Sequence, residues 1–370
     1  MSFVFWRRLL LNIALSGGAL AALSPGVRAV VSYTLTDLGS LDNSSNLYSS
    51  FATGINASGE VSGYSYTSVS AGSHAFLYSG GVMSDIGGGN SVANGINDSG
   101  QVVGYITGID GFHHAFLYSA GNLTDLSPQV GVDTIAYAIN NSGQVVGKGP
   151  TFSNSFFYSG GVGTLFNTLG AARALNDSGN FAGGGANFAY VVNSGIMTNF
   201  GTLAGGGPAH GYGMNNQGDV VGAADFSFPS AYDLIVYHNG TLLDLGRAAP
   251  TADTYGYDIN ATGQIVGEYR YTSMSGLVDQ GFLYENGSFT DMDSLPIINL
   301  GTWHDIFATA INDNGQIAGW GTDGTGRTHA LLISPVPEPA AFAFGVTLTA
   351  GLVALSRRYY SRAVTRRTSR

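Results

Sequence analysis

The sequence predicts an all-β fold, a seven-bladed β-propeller whose blades are four-stranded antiparallel sheets. Three observations predict it. A turn pattern recurs seven times along the chain, a second hairpin pattern follows most copies of it, and the two ends of the repeat region are complementary fragments of one unit. Units of roughly 40 residues with four short strands each are typical of propeller blades. An open solenoid of stacked units is the alternative that these observations leave.

The recurring turn has the pattern A-x-x-I-N-x-x-G-Q-V-V-G and is clearest at residues 93–104. The side chain of Asn97 can bond to nearby backbone, and Gly100 can adopt the positive φ that a bulged hairpin turn needs. The apolar segments on both sides are too short for helices and suit strands. The pattern therefore predicts a β-hairpin at each of its seven anchors: Asn56, Asn97, Asn140, Asn176, Asn215, Asn260 and Asn312.

A second hairpin is predicted about ten to fifteen residues further on in each unit. Residues 74–87 of the first copy read HAFLYSGGVMSDIG, and later copies have Asn-Gly at residues 239–240 and 286–287. Gly-Gly and Asn-Gly between alternating apolar runs favour the tight turns of hairpins. Each unit is therefore expected to contain four short antiparallel strands in meander order.

The ends of the repeat region predict a closed ring. Residues 33–39 read as a fourth strand without the preceding three, and the seventh unit stops after its third strand, near residue 333. We therefore expect the N-terminal strand to complete the last blade and to hide both free edges. The strand before each Asn turn carries mostly Ala and Gly at alternate positions, which predicts that this strand lines the crowded central channel.

The triplet His-Ala-Phe at His74 and His114, with the variant His329-Ala-Leu, resembles the bacterial extracellular HAF-repeat family. The resemblance covers residues 33–333. The fourth copy departs most, since Asn180-Phe-Ala-Gly replaces Gln-Val-Val-Gly. The resemblance implies an exported surface protein and assigns no activity.

Residues 1–29 are predicted to be a secretory signal peptide for the Sec translocon. They have a basic start at Arg7 and Arg8, an apolar middle over residues 9–23, and a small-x-small end that fits cleavage after Ala29. A retained transmembrane anchor is the alternative. The repeat region, residues 30–335, would then lie outside the inner membrane.

Residues 336–370 contain a second targeting pattern. The motif Val336-Pro337-Glu338-Pro339 precedes 16 mostly apolar residues, 340–355, and an Arg-rich end. This order resembles the PEP-CTERM signal, which exosortase-type sorting enzymes of Gram-negative bacteria recognise. The resemblance implies a transient membrane span by the C-terminal helix, release to the cell surface or extracellular matrix, and an exopolysaccharide or biofilm context. A plain single-span anchor is the alternative, although the run is shorter than the roughly 20 residues of a permanent span.

Charge is unevenly distributed. Residues 30–335 contain 23 acidic residues but only five basic ones, Lys148, Arg173, Arg247, Arg270 and Arg327. Such a body repels nucleic acid and anionic lipid, so we expect no nucleic-acid partner and a cationic ionic partner. The chain has no Cys and therefore no thiol nucleophile or thiolate metal site.

No catalytic motif is found. The sequence has no G-x-S-x-G, H-E-x-x-H or P-loop, and the G-x-G-x-x-G at residues 319–324 is not followed by a helix. His113-His114 could suggest a metal, but His114 occupies a repeated strand position. The Asp residues of the fourth strands are expected to bond to local backbone: Asp37, Asp85, Asp125, Asp244 and Asp291. We predict no catalytic residue, cofactor or metal.

Two function hypotheses follow. The first is a non-enzymatic surface or matrix protein that binds glycan or protein through variable loops, where Tyr48, Tyr271 and Trp303 can stack on sugars. The second is a secreted polysaccharide-degrading enzyme, because propellers also host glycosidases that need two carboxylates from different blades. Its carboxylates would come from the non-repeated acids of the loops: Asp110, Asp133, Asp225, Asp253, Asp279 and Asp305.

Overall fold

The computed structural model describes residues 31–42, 49–68, 72–167, 169–185, 188–203, 207, 209–226, 231–273 and 276–337. The predicted signal peptide with its cleavage site at Ala29 lies outside these residues. So do Tyr48, Glu338, Pro339 and the predicted C-terminal helix. No helix of the described residues is long and apolar enough to span a membrane.

The described residues form seven four-stranded antiparallel sheets, which confirms the predicted all-β propeller. Blades 1 to 3 contain β2 (Ser50–Ile55), β3 (Val61–Tyr66), β4 (Ser73–Ser79) and β5 (Val82–Gly89); β6 (Ser91–Ile96), β7 (Val102–Thr107), β8 (His113–Ser119) and β9 (Asn122–Asp125); and β10 (Ile135–Ile139), β11 (Val145–Lys148), β12 (Asn154–Ser159) and β13 (Val162–Asn167). The strands of each blade pair in sequence order, as the meander predicted.

Blades 4 to 6 repeat this arrangement. They contain β14 (Ala171–Leu175), β15 (Phe181–Gly184), β16 (Ala189–Asn193) and β17 (Ile196–Gly201); β18 (Ala209–Met214), β19 (Val220–Phe226), β20 (Ala231–His238) and β21 (Thr241–Gly246); and β22 (Asp253–Ile259), β23 (Ile265–Ser273), β24 (Gly276–Glu285) and β25 (Ser288–Asp291). A short helix α1 (Ser127–Val130) follows β9, and one 3-10 turn (Met292–Ser294) follows β25.

Blade 7 is built from both ends of the repeat region. It contains β26 (His304–Ile311), β27 (Ile317–Thr322), β28 (Thr328–Pro335) and, at its outer edge, β1 (Tyr33–Asp37). β1 pairs antiparallel with β28, so that Leu35 lies opposite Ile333. The N-terminal strand therefore completes the last blade, as the complementary ends predicted.

A closed circle of hydrogen bonds joins the seven Asn turns. In each turn the anchor Asn accepts backbone N–H bonds through Oδ1, and its Nδ2 donates to the carbonyl of the anchor in the next blade. Asn97 Nδ2, for example, donates to the Asn140 carbonyl at 3.0 Å, and Asn312 Nδ2 donates to the Asn56 carbonyl at 2.9 Å. The repeated Asn therefore closes each hairpin and also fastens neighbouring blades.

The Gly that ends each Gln-Val-Val-Gly pattern has a packing reason. It lies opposite the Phe of the third strand, as Gly63 lies opposite Phe76. A Cβ on Gly63 would lie 2.1 Å from the Phe51 carbonyl and 2.7 Å from the Phe76 ring. The ring can be fully buried only because that side chain is absent, and the same pairing recurs at Gly147 and Phe156.

Candidate binding site at the channel mouth

The strand before each Asn turn lines the central channel, as its small residues predicted. In each blade the pairing of this strand with its neighbour contains a β-bulge three residues before the anchor Asn. The bulge places one residue per blade in the channel wall. Four residue types occupy this position: Thr53, Asn94, Tyr137, Arg173, Tyr212, Tyr257 and Thr309.

Two residues before each bulge residue, a cross-strand pair joins the first and second strands. We call these seven pairs the mouth, because they lie toward the end of the channel opposite the Asn turns. In blade order they are Phe51–Tyr64, Val92–Tyr105, Ile135–Lys148, Ala171–Gly184, His210–Ala223, Tyr255–Glu268 and Phe307–Trp320. The pairing is the same in all blades, whereas the side chains are not.

The pairs of blades 7 and 1 form an aromatic sector of the mouth. The rings of Phe307 and Trp320 stack with centroids 4.0 Å apart, and those of Phe51 and Tyr64 stack at 5.1 Å. Phe51 also meets Trp320 edge to face across the two blades at 5.4 Å. Tyr66, 41% exposed, extends the sector outward. Such a cluster of rings, partly open to solvent, offers faces on which a ligand can stack.

The pairs of blades 3 to 5 border a basic sector, which contains a cavity of about 440 Å³. Side chains of four blades surround it, including His113, Lys148, Arg173 and His210. The space exists because blade 4 contributes only Ala171 and Gly184 to the mouth. A Cβ on Gly184 would lie 2.9 Å from His210 Nδ1, so a larger residue there would displace the His210 ring.

Two of these basic groups differ in how their charge is balanced. Lys148 Nζ donates to the Asp133 carboxylate at 3.0 Å, and this hydrogen bond lowers the pKa of Asp133. Arg173 instead lies over the rings of Tyr137 and Tyr212, with its guanidinium 4.8 and 5.6 Å from their centroids. Burial, and then the charge of Arg173, lowers the pKa of His210. His210 is therefore neutral near pH 7 and can both donate and accept hydrogen bonds.

Blade 6 adds a sector with acidic groups. Arg270 forms an ion pair with Glu268, and its Nε lies 3.9 Å from Asp279 Oδ1. The Tyr257 hydroxyl hydrogen-bonds to Glu268, and burial followed by the Glu268 charge raises the pKa of Tyr257. Burial also raises the pKa of Asp279, again with Glu268 as the second cause.

Of the predicted stacking residues, the structure describes Tyr271 and Trp303, which pack against different core clusters. Tyr271 stacks on Tyr269 at 6.2 Å within blade 6, and Trp303 packs against the core of blade 7, 6.2 Å from the His329 ring. Their role in binding stays a prediction. Val336 and Pro337 follow β28 directly, and Pro337 is exposed.

The loop acids are also dispersed, and most have a local partner. Asp110 pairs with His114, Asp133 with Lys148 and Asp305 with His304, while Asp253 accepts the Tyr232 N–H. Asp279 lies near Arg270 as described above. Asp225 Oδ1 is buried without a hydrogen-bond partner. Within the described part of the chain, no three His, Asp or Glu side chains cluster as a metal site would require.

The repeated His and Asp residues pair with each other. His74 hydrogen-bonds to Asp85, and His329 hydrogen-bonds to Asp37 across the ring closure, while His114 Nδ1 lies 3.7 Å from the Asp125 carboxylate. Asp37 and Asp125 also accept a backbone N–H two residues further on, as the turn interpretation predicted. These pairs are structural parts of the blades, and β1 rebuilds the same pair in blade 7.

Sequence reasoning missed Arg173, Tyr137 and Tyr212 as candidate site residues. A signal was available, since each lies three residues before an anchor Asn, at a position that four residue types share among the seven blades, whereas the anchor is always Asn. The small residues on both sides of it are typical of a packing position, which hides this signal.

No family model and no curated protein matches the chain. Among solved structures, it is similar to the β-propeller domain of the Trilobed protease from Pyrococcus furiosus, with 6% identity and a TM-score of 0.52, over 77% of this chain and 97% of that one. That structure is described as having an open velcro topology, whereas β1 closes the ring here. The likeness supports the fold alone.

Two further similar structures are longer proteins. They are the acylaminoacyl peptidase of Pyrococcus horikoshii, at 10% identity and a TM-score of 0.44, and a puromycin-hydrolyzing peptidase of Mycobacterium tuberculosis, at 12% and 0.46. The matches cover 71% and 82% of this chain, but only 48% and 56% of the two peptidase chains.

Proposed function

We propose that this chain is an exported, non-enzymatic surface or extracellular-matrix protein whose propeller binds a glycan at the channel mouth. The observation that carries the proposal is the mouth itself, where a repeated framework presents different side chains in each blade. Ligand-binding residues often lie at variable positions that a constant scaffold holds in place. The aromatic sector supplies ring faces for stacking, and the neighbouring cavity supplies polar groups.

Export and location complete the proposal. The signal peptide ending at Ala29 and the motif at residues 336–339 support passage through the Sec translocon, processing by an exosortase-type enzyme of a Gram-negative bacterium, and release to the cell surface. An exopolysaccharide is then the glycan most available to the mouth. Intact-mass analysis of surface-extracted protein should show loss of the tail near Val336, whereas a surface form that retains Arg370 would contradict it.

A glycan array probed with the full chain tests the binding proposal. Trp320→Ala should weaken binding to the preferred glycan about fivefold or more, because aromatic stacking contributes roughly 1 kcal/mol or more per ring. Trp303→Ala is the comparison variant, since it removes a partly buried Trp of the same blade that lies outside the mouth and was predicted to stack on sugar from a loop. Tyr66→Ala repeats the test at an exposed ring.

Loss of binding with Trp303→Ala alone would place the ligand at the loops, and absence of glycan binding would refute the proposal.

The second candidate is a polysaccharide-degrading enzyme, which one observation in blade 6 favours. Glu268 and Asp279 both approach Arg270, and the pKa of Asp279 is raised, as a general acid requires. Its Oδ1 is buried without a hydrogen-bond partner. Hydrolysis of a polysaccharide by the purified protein, abolished by Asp279→Asn and retained in Asp305→Asn, would establish this function instead.

A further inference from the structure

Among the residues that the structure describes, Arg173 differs from the other basic residues of the propeller in having no acidic partner. Lys148, Arg247, Arg270 and Arg327 each form an ion pair with an Asp or Glu. Within the described residues, no carboxylate lies within ion-pairing distance of Arg173, and it is exposed to the channel. A guanidinium held in place by two Tyr rings keeps its N–H donors free for a ligand.

The surroundings of Arg173 define what that ligand can be. The cavity of about 440 Å³ is within the range of small-molecule sites, roughly 300 to 1,000 Å³. Tyr137 and Tyr212 offer ring surface beside the guanidinium, and His210 offers a neutral polar group for a hydroxyl. With Lys148 balanced by Asp133, the cavity keeps one uncompensated positive charge. That charge matches a monoanion carried on a polyhydroxyl body.

We propose that this cavity binds the carboxylate of an acidic sugar, a uronic acid unit, with Arg173 as the anchoring residue; the inference rests on the proposed glycan-binding function. The planar guanidinium fork binds a carboxylate through two parallel hydrogen bonds. The acidic body does not prevent this. Exposed charges beyond about 10 Å are largely screened at 0.1 M salt, so the local Arg173 charge dominates inside the cavity.

Calorimetric titration of the full chain with matched sugars tests the inference. The probes are a glucuronic-acid disaccharide, the same disaccharide with glucose, and glucose 6-sulfate, all at constant ionic strength. Arg173→Gln should weaken binding of the acidic disaccharide on the order of tenfold to a hundredfold, because hydrogen bonds to charged groups are the stronger class. Arg173→Lys, which keeps the charge but loses the fork, should fall between wild type and Arg173→Gln.

Arg327→Gln is the matched control, since it removes the same charge from a residue outside the cavity and should leave binding unchanged. Circular dichroism establishes that each variant is folded. Equal affinity for the acidic and neutral disaccharides, unaffected by Arg173→Gln, would overturn the inference and leave glycan binding intact. Glucose 6-sulfate bound as tightly as the acidic disaccharide would overturn the choice of a carboxylate. Absence of binding by every saccharide would overturn both proposals.

Discussion

The two ends of the channel differ in how far their residues are repeated from blade to blade. At the Asn-turn end, the same residue recurs in all seven blades and donates to the next blade. At the mouth, the corresponding pairs range from Ala171–Gly184 to Phe307–Trp320. Every turn must satisfy the same backbone groups, so one residue type is retained. No common backbone requirement acts on the mouth side chains, which leaves them available for a ligand.

The largest expected effect concerns the Asn-turn end. Asn97→Ala should lower the free energy of unfolding by about 3 kcal/mol, because buried backbone groups lose their partners. Asn97 Nδ2 donates to Gln101 and to the Asn140 carbonyl, and Oδ1 accepts the N–H groups of Ser99 and Gln101. Urea denaturation of the full chain measures the change.

Arg173→Gln is the matching substitution at the mouth. Because Arg173 is exposed and has no hydrogen-bond partner among the described residues, its replacement should change the free energy of unfolding by less than about 0.5 kcal/mol. Equal losses in the two variants would show that the mouth is as much a part of the scaffold as the Asn turns.

A second comparison sets the closing strand against the other outer strands. Leu35 in β1 and Leu123 in β9 occupy the same repeat position, two residues before the Asp that pairs with a His. Leu35 is 5% exposed under the segment that follows β25, whereas Leu123 is 38% exposed. Leu35→Ala should therefore cost about 2 to 3 kcal/mol and Leu123→Ala less than about 1 kcal/mol. Comparable unfolding midpoints for the two variants would argue against a covered closing strand.

The smallest expected effect is a pH dependence at Asp258, where the other blades have Ala or Gly. Burial raises the pKa of Asp258 to about 7, although its carboxylate accepts the N–H groups of Ile259 and Ile311. Between pH 4 and 7 the folded state then binds more protons than the unfolded state. Its stability therefore falls as pH rises through this window.

Asp258→Ala should remove a pH-dependent difference on the order of 1 kcal/mol. Urea denaturation at pH 5 and pH 8 measures it. The same pH difference in wild type and variant would show that Asp258 titrates normally.

Much of the fold could be predicted because each blade repeats one local solution. The Asn and Gly of the turn, the Gly-Gly and Asn-Gly hairpins and the complementary ends each fix the chain through interactions within a few residues. They predicted the seven blades, their strand order, the closing role of residues 33–37 and the strand that lines the channel. The predicted ligand-stacking residues depended on loops, for which local rules do not fix which side chains meet.

The sequence by itself determined the ring of seven blades. The tertiary structure decided which residues that depart from the repeat lie next to each other. Composition predicts an acidic body and a cationic partner, because it reports only the sum of charges. Folding places Arg173 beside Tyr137 and Tyr212 and next to Lys148 and His210, although these residues belong to three different blades. It also leaves space there, since the copy that departs most from the repeat contributes only small residues to the mouth. Closing a ring brings equivalent positions of distant repeats to one axis, so a local charge opposite to the overall charge arises only in three dimensions.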